Sequence, residues 1–181
     1  METTDGKQEG QVKQQEGAGR LAGKYLRFKL AGEYYAVNIM RVVEIFRVME
    51  ITRVPRCPDY LKGVINLRGK IIPVVDLRLK FGLEEKEHDD HTCIIVVNIQ
   101  VADEQVALGV IVDTVLEVKD YSPDMLAEAP DYGASVDTSF ITGMGRQEDG
   151  SVTILLDVDR ILAGTENESL RNFANEQQQA G

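Results

Sequence analysis

His88 and His91 stand three residues apart in EHDDH, with two aspartates between them. On a helix face that spacing offers nitrogen and oxygen ligands to a divalent metal. The surrounding LEEKEHDDHT reads instead as an acidic loop between strands, without a third ligand or an ordered frame, so no metal is expected. GMGRQE (143–148) has two glycines of a dinucleotide loop but lacks the third, and no helix follows; it reads as a hairpin turn. Asp76, Asp113 and Asp157 end apolar runs, where a carboxylate cluster would do acid–base work, but capping of short helices accounts for two of them. Cys57 lies in PRCPD, and a catalytic thiolate wants a histidine, whereas both histidines sit in the acidic loop. With no serine in a G-x-S-x-G setting and no phosphate loop, no enzyme is expected.

One further residue poses a different question. Arg68 stands beside Gly69 in GVINLRGKIIPVVDLRLKFG (63–82), at the tip of an apolar hairpin, although arginine is a poor turn former. Its planar fork either holds its own hairpin against the neighbouring barrel or reaches a partner.

The elements that must position these residues are mainly strands. YLRFKL (25–30) alternates as a half-buried strand, AGE turns, and YYAVNI returns. IIPVVD, TCIIVVNI and VALGVIVDTVLEV are β-branched runs expected to be central and covered on both faces. Short helices are predicted from Pro58 to Gly63, after Asp76 up to Gly82, after Ser122–Pro123, and after Asp157 up to Gly164. Residues 1–22 and 164–181 are polar tails expected to be disordered, except that Leu170 and Phe173 suit one docked helical turn.

The pattern recurs. Gly63 through IIPVVDLRLKFG resembles Gly143 through VTILLDVDRILAG, and GEYYAVNI resembles DEQVALGV. A duplicated unit of roughly 75 residues built of short strands predicts two small β-barrels. The copies differ most at one turn, a tight NLRGK in the first and a longer, acidic GRQEDGS in the second.

Composition excludes further classes. The 181-residue chain is 43% hydrophobic and 28% charged, and no apolar run approaches the ~18 residues of a membrane span. The N-terminal stretch has no apolar core and does not read as a signal peptide, and the two cysteines are expected to be reduced. Net charge is -10, yet residues 41–80 carry nine Lys/Arg against four Asp/Glu, while residues 81–181 carry five against twenty-one. Such halves either present complementary fields to partners or are simply solvated. Nucleic-acid binding is not expected, because the basic segment interleaves only Phe46 and Tyr60.

LKGVINLRGKIIPVVDLRLKFG, preceded by VVEIFRVMEITRVPRCP and followed by CIIVVNI, LGVIVDTVLEV and FITGMGR, resembles the CheW-like family of bacterial chemotaxis coupling domains. The likeness covers residues 24–163. It implies two intertwined five-stranded SH3-like β-barrels with a few short helices, spanning 23–163. It also implies a cytoplasmic, non-catalytic adaptor without cofactor, monomeric in isolation and not inserted in the membrane, at receptor arrays on its inner face. Its partners would be the regulatory domain of the histidine kinase CheA and the cytoplasmic tip of methyl-accepting chemoreceptors; the alternative is a scaffold of a non-chemotactic chemosensory pathway. Carried over residue by residue, the likeness points to Val42, Glu44, Lys62, Gly63, Arg68, Gly109, Val115 and Val118 as binding positions. Val42, Val115 and Val118 suit an apolar groove and Glu44 its rim, while the two later valines suit a core equally well.

Overall fold

The structure, a computed structural model, describes residues 17–130 and 138–162. Eleven strands are described: β1 (Gly23–Leu30), β2 (Glu33–Asn38), β3 (Val42–Arg47), β4 (Leu61–Leu67), β5 (Lys70–Asp76), β6 (Cys93–Val101), β7 (Glu104–Val112), β8 (Thr114–Tyr121), β9 (Leu126–Glu128), β10 (Ile141–Arg146) and β11 (Val152–Leu156). They form two sheets, ordered β8-β1-β2-β11-β10-β9 and β3-β6-β7-β5-β4.

The repeat explains the topology. β1 to β5 correspond to β6, β7, β8, β10 and β11, and each sheet draws its first hairpin from one repeat and its remaining strands from the other. The parallel contacts are equivalent: β2 runs beside β11 with Val37 opposite Leu156, and β7 beside β5 with Val110 opposite Val75. The expected duplication is therefore present, but neither repeat builds a barrel alone. Among the described residues the chain crosses between sheets only around residues 39–41 and at Asp113. One barrel, called B below, is consequently the contiguous stretch 42–112. The other, barrel A, is assembled from both ends of the described chain.

Both barrels close in the same way. In barrel A, β9 pairs with β10, Ala127 opposite Met144. In barrel B a single bridge, Thr52 to Val64, does the same, with backbone bonds of 2.9 and 2.8 Å. The sixth strand of the first sheet is thus a closing element beside five principal strands.

Three apolar clusters fill the structure. Leu26, Phe28 and Leu30 from one sheet meet Ile95, Val97 and Val110 from the other in a core shared by the barrels. Full burial of each such side chain is worth about 1.5–3 kcal/mol. Ile65, Ile72, Val74, Ile94, Val96 and Ile111 fill barrel B. Barrel A is lined by Tyr25, Ala36, Tyr121, Leu126 and Leu155, and Ala18 plugs it.

Several local expectations change. Residues 17–21 are helical (α1), with Ala18 buried and the Leu21 carbonyl accepting from the Tyr25 hydroxyl at 2.7 Å, so tail behaviour does not extend to residue 22. Residues 1–16 and 163–181, with Leu170 and Phe173, lie outside the described residues. β1 is buried on both faces, Arg27 included, because the face that alternation assigns to solvent lines the interior of barrel A while the other faces the shared core. Pro58 starts only a turn, closed by Leu61 N–H to the Pro58 carbonyl at 3.0 Å, since Leu61 and Gly63 are claimed by β4. Asp76 does cap a helix, α2 (Leu77–Lys80), and Asp157 caps a 3₁₀ turn (Val158–Arg160). A 3₁₀ turn at Pro123–Met125 follows Ser122 without a side-chain cap. The VALGVIVDTVLEV run splits at Asp113 into β7 and the edge strand β8, which lie in different sheets.

Candidate functional site

The hairpin between β4 and β5 turns through two residues, Arg68 and Gly69, with φ of 53° and 85°. Both values are positive, as in a type I′ turn, whose twist matches the flanking strands. The Asn66 side chain accepts from Gly69 N–H at 2.9 Å. Arginine is a costly choice there, at roughly 1–2 kcal/mol for an L-residue in the left-handed region. Its guanidinium reaches Glu44 on β3 through two parallel bonds of 2.8 Å. Glu44 and Arg68 therefore join the two opposite edges of barrel B's sheet, a few residues from the Thr52–Val64 bridge. The fork holds its own hairpin, as one reading of the sequence allowed, but on a carboxylate of the same barrel. The Arg68 side chain stays 75% exposed, so the contact leaves it open to a partner. Hydrogen bonding to Glu44 raises its pKa further.

Gly63 acts through the backbone. Its φ is 140°, and a Cβ there would lie 2.0 Å from the Thr52 carbonyl oxygen that completes the closure. Gly143, its repeat counterpart, is excluded from a side chain by the Ala127 carbonyl at 2.8 Å. Lys62, next to Gly63, pairs with Glu85, whose carboxyl is held below its ordinary range by that hydrogen bond. Val42 and Val115 are half-buried against the shared core, and Val118 on β8 is 46% exposed. Gly109 does not line a surface. It is buried within β7, where a Cβ would press on Ile94 and Val74 methyls at 3.1 and 3.2 Å, so its small size serves packing.

The structure thus joins Glu44 with Arg68, places Lys62 and Gly63 beside the same closure, and leaves Val118 on the other barrel's edge strand. It adds residues the sequence reading passed over. Met40 is 85% exposed, and Val43 and Ile45 on β3 are 54% and 39% exposed. The signal was in VVEIFR, which is apolar at alternate positions on both faces, so one apolar set had to face outward.

The alternatives with chemistry resolve into structure. Asp76 accepts from Arg78 N–H and Asp157 from Asp159 N–H, while Asp113 binds the Arg78 guanidinium, so the three carboxylates each have separate work. Asp89 accepts from His91 N–H at 2.8 Å and pairs with Lys86, which brings its pKa down to about 2. Among the described residues no group of three or more His, Cys, Asp or Glu could hold a metal. GMGRQE opens the β10–β11 hairpin, with Gly145 lying against the Tyr121 ring. Among the described residues no helix is long and apolar enough to cross a membrane.

Known proteins share this arrangement. The family model described as CheW-like domain matches residues 24–166. The chemotaxis protein CheW of Klebsiella aerogenes is 34% identical over 158 residues, covering 87% of this chain and 92% of that protein. CheW of Helicobacter pylori is 35% identical over 142 residues, covering 77% and 81%. The crystal structure of the scaffolding protein TtCheW from Thermoanaerobacter tengcongensis superposes with a TM-score of 0.69 at 32% identity, covering 80% of this chain and 95% of that one. A doubled, strand-exchanged barrel with an arginine-tipped hairpin, matched over most of its length by these relatives, places the chain in the CheW-like family of non-catalytic chemotaxis scaffold proteins.

Proposed function

We propose that the chain couples the cytoplasmic tip of methyl-accepting chemoreceptors to the regulatory domain of a CheA-type histidine kinase, in receptor arrays on the cytoplasmic side of the membrane. The observation that carries this reading is the set of exposed apolar side chains at edge strand β3, Met40 in the turn that leads into it and Val43 and Ile45 on it, near the tethered Arg68. A helical coiled-coil tip needs an apolar strip flanked by a few fixed charges to set its register. Val118 on β8 extends the apolar exposure to the second barrel. Arg68, with both donors of its fork on Glu44, presents a charge of set direction at the rim. Individual contacts of this kind are weak and gain strength when many are linked in an array.

Calorimetric titration against an isolated CheA regulatory domain, and separately against a receptor-tip fragment, tests the reading. Saturable one-to-one binding is expected for each. Absence of binding to every kinase regulatory domain and every receptor tip of the source organism overturns it.

A further inference from the structure

The two places where the chain passes between barrels carry matching hardware of opposite sign. Arg41 immediately precedes β3, and Asp113 immediately precedes β8, its repeat counterpart. Arg41 Nε donates to the Asn98 carbonyl at 2.9 Å, and its Nη2 pairs with Asp159, which also accepts from Gln100 N–H at 2.7 Å. Asp113 receives Arg78 Nε at 2.7 Å and Nη2 at 2.6 Å, and accepts from Ala31 N–H at 2.8 Å. Asp159 and Arg78 are themselves equivalent, each standing two residues after a capping aspartate, Asp157 and Asp76. Each clamp therefore ties a crossing of one repeat to the capped turn of the other. The Arg78 and Asp113 side chains are each only 16% exposed.

We propose that these two ion pairs select the strand-exchanged arrangement and fix the angle between the barrels, acting as positioning residues for the surface on β3 and β8. The competing arrangement is one in which each repeat closes its own barrel. There, β2 would lie beside β5 rather than β11, and the crossing at Arg41 would face Arg78; the crossing at Asp113 would face Asp159. Like charges would meet at both places, which costs far more than an imperfect apolar fit. The shared core cannot make this choice, because apolar burial is non-directional and both repeats offer β-branched faces. The two-pronged Arg78–Asp113 contact defines an angle as well as a partner, and Arg41 is fixed likewise by its two separate acceptors, the Asn98 carbonyl and Asp159.

The experiment uses the full chain and variants of unchanged net charge. Arg78→Asp with Asp159→Arg puts like charges at both clamps of the observed arrangement. Adding Arg41→Asp and Asp113→Arg makes the clamps complementary again with reversed sign. Residual dipolar couplings report whether both barrels share one alignment frame, and amide exchange along Tyr34–Val37 and Thr153–Leu156 reports the β2–β11 pairing. The two-site variant should lose the common frame and exchange about a hundredfold or more faster at those amides. The four-site variant should recover most of both. An undisturbed two-site variant, or a four-site variant no better than it, overturns the proposal. Should neither fold, Arg78→Gln and Asp113→Asn decide: coupled effects on the common frame support it, and independent effects that leave the frame intact overturn it. Glu117→Gln, which breaks a pair with Arg27 inside barrel A, must leave the frame intact, and loss of the frame there also overturns the proposal. The orientation claim stands apart from the coupling reading, since none of these measurements involves a partner.

Discussion

Barrel B is filled with isoleucine and valine and closed by one backbone bridge, whereas barrel A mixes two tyrosines with a polar network and closes with a short strand. In barrel A, Arg27 is buried and bonds Glu117 and the Thr153 hydroxyl, and Gln147 donates to the Tyr121 and Thr153 hydroxyls. The difference follows the hairpins. The two-residue turn at Arg68–Gly69 leaves the mouth of barrel B to an exposed ion pair, while the longer loop after Arg146 brings Gln147 onto the end of barrel A. The duplicated unit has thus kept its strand order and its mode of closure, while the two barrel ends are finished differently, one with an ion pair facing solvent and one with Arg27 drawn inward.

The sharpest way to break this comparison is at the closing glycines. Gly63→Ala should cost about 3–5 kcal/mol, combining left-handed strain with a clash against the Thr52 carbonyl. Gly143→Ala should cost less, about 1–3 kcal/mol, since its φ is not left-handed and, besides the mobile Leu21 tip, its Cβ would meet the Ala127 carbonyl at 2.8 Å rather than 2.0 Å. Denaturant titration ranks them, and a reversed order would mean that the Thr52 bridge does not close barrel B.

A second test compares interiors. Thr153→Val should cost about 1–3 kcal/mol by depriving Arg27 and Gln147 of an acceptor. Ile94→Val, one methyl from the fully buried interior of barrel B, should cost about 0.5–1.5 kcal/mol. Equal costs would show that the barrel A network adds nothing beyond packing.

Acid titration gives a smaller effect. Burial alone would push the Asp113 carboxyl up, but the Arg78 fork and the Ala31 N–H outweigh it and hold the pKa below the ordinary carboxylate value. A depressed folded-state pKa contributes stability that is present above the unfolded value of about 3.9 and lost as pH falls through the folded one. Asp113→Asn should therefore flatten the acid limb of the stability curve below about pH 4; an unchanged slope there would count against the Arg78 contact.

The smallest expected change in stability is at the hairpin tip. Arg68→Asn gives the residue pair most favoured by a type I′ turn, so Tm should hold or rise even though the Glu44 contact is lost. Partner binding in the calorimetric assay should fall. A drop in Tm would show instead that arginine is kept for the fold.

Much of this architecture was legible in the sequence, and what was not has physical reasons. The likeness of Gly63 to Gly143 and of Asp76 to Asp157 revealed the duplication and the capped turns, because a capping aspartate reports a local backbone need, whereas the place of the two glycines at the closures emerged only from the fold. The exchange of hairpins was hidden, since a β-branched run such as 106–118 bears no mark where it leaves one sheet for another; only Asp113 interrupts it. Arg27 read as solvent-facing because alternation cannot tell water from the polar interior of its own barrel. Gly109 read as a surface position, although its neighbours are core methyls. Arg41 went unnoticed because its partner, Asp159, lies in the other repeat.

The split of barrel A around a contiguous barrel B also has a consequence for synthesis. β1 and β2 leave the ribosome first, but Tyr34 and Val37 must wait for Thr153 and Leu156. At about 5–20 residues per second, that is a delay on the order of ten seconds. During it Leu26, Phe28 and Leu30 have no finished sheet to join, while residues 42–112 already contain every strand of barrel B. The inserted barrel is then the first surface on which the waiting hairpin can settle, so birth order makes the middle of the chain the template for its ends.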